Sequence, residues 1–173
     1  MNTSPPSQSP ETKDGSGDVS RKLLLRLEMQ SDPTILCAIR GAVERLTESF
    51  GFTPEESRAI TLAVDEALTN IIRHAYHGRP DQPIELYFHS LKRAANGAGE
   101  KAAQGLEFVL CDRGPAIEES KLCGRALDDV KPGGLGLHFI KESMDVVEYK
   151  RADEINHLRL VKYVSTSKQE VNS

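Results

Sequence analysis

The sequence has no tryptophan, and aromatic residues make up only 5% of its 173 positions. A platform that stacks single-stranded nucleic acid needs more rings than that. The net charge of -4 argues equally against a binder of phosphate backbones, so no direct nucleic-acid partner is expected. No apolar run approaches the ~20 residues of a membrane span, and the amino terminus has no charged-then-apolar signal pattern. Cysteine is scarce: Cys37, Cys111 and Cys123 form neither a Cys-x-x-Cys pair nor a Cys/His zinc spacing. Such usage fits a reducing compartment, and the expected location is cytoplasmic, away from the membrane. Cys37 and Cys111 fall in apolar periodic segments and read as buried small hydrophobes, whereas Cys123 falls in a polar loop. The five histidines show no zinc spacing. No Gly-x-Ser-x-Gly supports a serine nucleophile, and no Gly-Lys-Ser/Thr completes a P-loop.

What is present fills one domain with tails. Residues 1–20 are rich in Ser, Pro, Gly and charge and read as a disordered tail, and 166–173 read as a polar tail. Leu23, Leu25, Leu27 and Met29 alternate as in a strand. Asp32-Pro33 opens a helix, which Ile35, Leu36, Ile39, Val43, Leu46 and Phe50 continue at helical spacing until Gly51 stops it. Thr53-Pro54-Glu55-Glu56 repeats the start signal with a capping box for a helix over about 54–76. Strands follow at 84–88 and 106–110, joined by a long polar connection from Lys92 to Gly105. After a loop over 113–133 come a helix at about 134–145 and strands near 146–151 and 156–164. This order predicts an α+β fold, a two-layer α/β sandwich with a mixed, mostly antiparallel sheet covered by helices on one face.

Three stretches carry chemistry. On the second helix Glu66 and Asn70 stand four residues apart on one face, extended by Arg73 and His74. Asn70 can offer a neutral oxygen to Mg²⁺, leaving Glu66 free to take a proton from an attacking hydroxyl. On this helix alone, a solvated polar face is the better reading. The second stretch is an apolar strand ending in Asp112, followed by Arg113-Gly114. A carboxylate suits the exocyclic amine of adenine, and Gly114 lets the backbone approach a flat base. Alone it is an ordinary Asp-x-Gly turn. The third is Lys131-Pro132-Gly133-Gly134-Leu135-Gly136-Leu137, which opens a helix and exposes backbone N–H groups where the dipole favours anions. Lys131 adds positive charge, and phosphate binding is here the better reading than a plain connector.

In this order and spacing the stretches resemble the bacterial anti-sigma-factor serine/threonine kinases, within the superfamily of histidine-kinase-like ATPases with the Bergerat ATP-binding fold. Glu66-Ala67-Leu68-Thr69-Asn70-Ile71-Ile72-Arg73-His74-Ala75-Tyr76 is similar to that family's N box. Asp112-Arg113-Gly114 is similar to its first glycine box, and Gly133 to Leu137 to its second. The likeness spans about residues 22–165, so that 21–165 would form one ATPase domain. It implies ATP and Mg²⁺ as cofactors, Glu66 as general base, Asn70 as Mg²⁺ ligand and Arg73 as a phosphate contact. Asp112 would read adenine with Gly114 flanking the base, Gly134 and Gly136 would cradle phosphate, and 115–132 would be an ATP lid. The implied activity is γ-phosphoryl transfer to a serine or threonine of an antagonist protein. The implied partners are that antagonist, a sigma factor and a second copy of the chain. The alternative is an ATP-binding anti-sigma or regulatory module without phosphoryl transfer. Pro115-Ala116 departs from the family, which often carries a second glycine there. The 92–105 insert is long for a compact member, and no phosphoacceptor hairpin or transducer domain accompanies the ATPase boxes.

Overall fold

The computed structural model describes residues 19–95, 102–116 and 135–165. The expected tails, apart from residues 19–20, lie outside the described residues, as do Cys123, Lys131 to Gly134 and all of the expected lid beyond residue 116.

The chain runs β1 (Val19–Gln30), α1 (Leu36–Ser49), α2 (Pro54–Asn70), β2 (Pro83–Arg93), β3 (Ala103–Asp112), α3 (Leu135–Ser143), β4 (Val146–Ala152) and β5 (Ile155–Tyr163). The five strands lie in the order β1-β2-β3-β5-β4. Every neighbouring pair is antiparallel, so among the described residues the expected mixed sheet is antiparallel throughout. The helices cover one face. Val43, Ile60, Val64 and Leu68 from the helices meet Leu86, Phe88, Phe108, Leu110 and Leu160 from the sheet in one buried cluster, with Ile140 and Met144 closing it from α3 and the residues after it. This is the two-layer sandwich that the pattern of elements predicts, in the Bergerat-type arrangement that the resemblance implies.

Local signals set the helix starts. The Asp32 side chain accepts from the Thr34 N–H at 2.9 Å, and Pro33 begins a single 3-10 turn that leads into α1. Thr53 and Glu56 form a reciprocal capping box, with the Thr53 N–H donating to Glu56 Oε2 at 2.8 Å and the Glu56 N–H to Thr53 Oγ1 at 3.2 Å. A hydroxyl pair, Thr47 with Ser57 at 2.6 Å, ties α1 to α2 inside the core.

Two expectations need correction. The polar connection from Lys92 to Gly105 is shorter than its composition suggests, because the strands run on into it: Leu91 pairs with Gly105, Lys92 with Gln104 and Arg93 with Ala103. Backbone pairing does not require apolar side chains, so an alternation test stops short of where the ladder stops. Cys37 is exposed rather than buried. The core-facing positions of α1 are Leu36, Ile39 and Val43, and Cys37 is turned by ~100° from Leu36 at 3.6 residues per turn. Ile35 is exposed for the same reason. Cys111 is buried, as expected.

The end of α2 departs from a regular helix. Residues Ile71–Ala75 form one π-helical turn, with the Tyr76 N–H donating to Ile71 O at 3.0 Å. The wider turn accompanies an inward Tyr76, 1% exposed. Its hydroxyl donates to Pro83 O at 2.7 Å and accepts from the Arg113 N–H at 2.8 Å. One side chain thus fastens α2 to the start of β2 and to the turn after β3.

On the sheet face away from the helices, Glu107 is 1% exposed. Arg21 Nε donates to its Oε2 at 2.5 Å and Arg159 Nε to its Oε1 at 2.6 Å, with His89 Nδ1 3.1 Å from Oε2. Burial pushes the carboxyl up, but hydrogen bonds from His89, Arg159 and Arg21 outweigh it and hold the group at about 2, against 4.5 for an ordinary glutamate. A depressed folded value contributes stability that is present above the unfolded pKa and lost as pH falls through the folded one. The protein is therefore expected to lose stability between pH ~4.5 and ~2. Glu107→Gln should cost about 2–3 kcal/mol at neutral pH, below the fully buried case because both arginines are partly exposed. Urea unfolding at pH 7 and pH 3 measures both effects, and the variant should show the smaller difference between the two.

Candidate functional site

The site is built along one helix edge. The buried positions Ala63, Val64, Ala67 and Leu68 turn one side of α2 into the core. That leaves Glu66 and Asn70 half-buried on the edge of the helix, with Arg73 and His74 exposed beyond them.

Helix α3 closes on this edge at Gly136. A Cβ placed there would lie 2.6 Å from Glu66 Cδ and closer still to Oε1. The glutamate carboxylate packs against the backbone of α3 at Gly136, and any side chain there would displace it. The third stretch is thereby brought onto the first.

The second stretch meets α2 further along. A Cβ at Gly114 would lie 2.6 Å from Ala75 Cβ and 2.9 Å from Asp112 Oδ1. Only glycine fits between the Asp112 side chain and the end of the helix. The Gly114 N–H donates to Asp112 Oδ1 at 2.8 Å, and Asn156 Nδ2 donates to the same oxygen at 2.8 Å. Asp112 is 5% exposed. Both bonds fall on Oδ1, so among the described residues no donor reaches Oδ2. A buried carboxylate with one oxygen committed and the other open is suited to accept a hydrogen bond from a ligand amine.

The two close approaches, at residues 66 and 75, are separated by roughly 13 Å along the helix at 1.5 Å per residue. An elongated ligand could span them, with a donor group at the Asp112 end and an anion at the Glu66 end. Asn70 and Arg73 lie on the helix between the two. No group of three His, Cys, Asp or Glu side chains able to hold a metal stands among the described residues. A divalent ion here would take most of its ligands from phosphate and water, which suits Mg²⁺. His138 is exposed and pairs with Glu142 at 3.2 Å. A polar cleft of about 300 Å³ is lined by Arg113, Gly114, Pro115, Arg151, Asp153 and Glu154; it takes in Gly114 of the second stretch, and none of Glu66, Asn70 and Gly136 borders it. Lys131 and Gly134 lie outside the described residues.

A family model described as the histidine kinase-like ATPase domain matches residues 29–162. The chain belongs to that family. Proteins similar to it include the serine/threonine-protein kinase BtrW of Bordetella bronchiseptica, 34% identical over 110 residues that cover 60% of this chain and 68% of that one. The serine-protein kinase RsbW of Listeria innocua is 26% identical over 149 residues, covering 86% and 92%. Among solved structures, a chain in the crystal structure of the SiaB-SiaC complex from Pseudomonas aeruginosa superposes with a TM-score of 0.52 at 12% identity. That match covers 83% of this chain and 91% of that one. At such identity the likeness concerns the fold. This member of the family is thus related to protein kinases over most of its described length.

Sequence reasoning missed Tyr76, Tyr149, Arg151 and Asn156, which hold the Asp112 turn. Asn156 carried a usable signal, since asparagine is depleted inside strands and this one sits in β5 directly opposite Asp112.

Proposed function

We propose that the chain is an ATP-dependent protein serine/threonine kinase of the anti-sigma type. It transfers the γ-phosphoryl group of ATP to a serine or threonine of an antagonist protein, and it binds a sigma factor in the cytoplasm. The observation that carries this reading is the seating of Gly136 on Glu66. It sets a carboxylate against α3 at the end of the glycine-rich stretch, whose backbone N–H groups would bind phosphate in this reading. Family membership and kinase relatives support the same reading.

In this reading Asp112 accepts from the adenine amine through Oδ2, and Gly114 lets the base approach the end of α2. The backbone at Gly134 and Gly136, with Lys131 and Arg73, binds phosphate. Asn70 would hold Mg²⁺, which when bound spreads the charge of the phosphates. Glu66 accepts the proton of the serine or threonine hydroxyl as its oxygen attacks phosphorus and the bond to the leaving diphosphate breaks. Positioning and fixed electrostatics supply most of the acceleration.

The test is incubation with γ-labelled ATP, Mg²⁺ and a candidate antagonist encoded beside this chain. Phosphoserine or phosphothreonine on the antagonist is expected. Nucleotide binding without any transfer would favour a regulatory module instead. Asn70→Ala should abolish the gain in ATP affinity that Mg²⁺ confers, as titration with and without the metal would show. An undiminished gain would remove Asn70 from metal binding.

A further inference from the structure

The hairpin formed by β4 and β5 reaches the Asp112 turn through a chain of polar groups. Its tip residues Asp153 and Glu154 take φ of 49° and 62°, the paired left-handed conformation of a tight hairpin turn. That turn sets Arg151 opposite Asn156 across the hairpin, and Asn156 in turn stands opposite Asp112 in the sheet. Asn156 is 1% exposed. Its Nδ2 donates to Asp112 Oδ1 at 2.8 Å and to the carbonyls of Gly114 and Pro115 at 3.2 Å each. Its Oδ1 accepts from Arg151 Nη1 at 2.6 Å and from the Tyr149 hydroxyl at 2.5 Å. Arg151 Nη1 also donates to Gly114 O at 2.9 Å.

The chemistry of the donors fixes the direction of this chain. A guanidinium can only donate, so the carboxamide oxygen must face Arg151 and its NH₂ must face the turn. The NH₂ then holds Asp112 Oδ1 as an acceptor, and Oδ2 is left as the oxygen offered to a ligand. Were the carboxamide to flip, its oxygen would meet the carboxylate and two carbonyls, and the aspartate would turn away to escape the repulsion.

We propose that Arg151 is a positioning residue for base recognition: it locks Asn156 in one orientation, and through it aims the Asp112 carboxylate so that a 6-amino purine is preferred to a 6-oxo purine. This rests on the reading of the cleft as an ATP site. Arg151 itself is exposed and acts through Asn156, on a strand whose sequence carries no nucleotide motif.

The experiment compares affinities for ATP and for ITP, each with Mg²⁺, in the wild-type chain and in Arg151→Met, Arg151→Lys and Asn156→Ala, alongside thermal unfolding. The wild type should prefer ATP. Arg151→Met and Asn156→Ala should each lower that preference about tenfold, by weakening ATP while leaving ITP nearly unchanged. Arg151→Lys, which keeps a donor, should recover part of it. A lower melting temperature in Arg151→Met with the ATP-to-ITP ratio unchanged would show a merely structural brace and overturn the proposal. A wild-type chain that binds both nucleotides equally, or neither, would overturn the adenine reading itself, a result separable from any effect of the variants.

Discussion

Replacing Glu66 with glutamine is expected to lower phosphoryl transfer by a factor of roughly 10²–10⁴, the usual contribution of a positioned general base, while ATP affinity changes little. Glutamine has nearly the same shape as glutamate, so the contact with the backbone of α3 at Gly136 survives. What disappears is the group that takes the proton. If Glu66 only ordered solvent around a bound nucleotide, transfer would fall modestly or not at all. Single-turnover transfer at saturating ATP, paired with equilibrium binding, separates the two cases. Full transfer by Glu66→Gln would mean that another group removes the proton.

Gly136→Ala is expected to match that loss by a different route. The added methyl would stand 2.6 Å from Glu66 Cδ, so either the carboxylate swings out or α3 moves away. The colliding atoms are the far end of a flexible, half-buried side chain, so the stability cost should lie at the low end of overpacking, about 1 kcal/mol, while transfer falls because the base is displaced. A second substitution resolves the cause. Adding Glu66→Ala to Gly136→Ala removes the colliding side chain, and should restore much of the stability without restoring transfer. Such strong non-additivity is the signature of two residues in direct contact. Urea unfolding of the four proteins in the cycle measures it. Additive losses would show that Gly136 matters for some reason other than the space occupied by Glu66.

How much of this was legible in the sequence depends on how local each cause is. The capping box at Thr53 and Glu56, the proline start at Pro33 and the apolar stripe of α2 are set by neighbours within a turn, and they stand where the residue pattern puts them. The sheet's membership was legible too, because alternation in Leu106 to Leu110 or Leu23 to Met29 reports a strand, although Leu23 and Leu25 stay exposed in β1. What the pattern could not carry was long-range. The π turn at Ile71–Ala75 accompanies hydrogen bonds from Tyr76 to residues 7 and 37 positions away, and nothing in Ile-Ile-Arg-His-Ala encodes that. The continuation of β2 and β3 into the polar insert follows from backbone pairing, which is blind to side-chain polarity.

The candidate site divides in the same way. Glu66, Asn70, Asp112, Gly114 and Gly136 could be singled out because chemistry restricts residue type at such positions. The contacts of Gly136 with Glu66 and of Gly114 with Ala75 could not be derived from any one stretch, since each alone reads as a polar helix face, a turn or a connector. They follow from α2 touching both glycine turns, at Glu66 and at Ala75. Asn156 and Arg151 escaped notice because their work is done through Asp112, across a strand register that becomes visible only once the sheet is assembled.

Hydrogen–deuterium exchange on the wild-type chain, with and without Mg²⁺ and ATP, tests the convergence most directly. Backbone amides around residues 66–70, 112–114 and 134–137 should gain protection together, over one range of ATP concentration, as a single ligand orders all three. Protection confined to one stretch, or appearing at separate concentrations, would mean that they do not surround the same nucleotide.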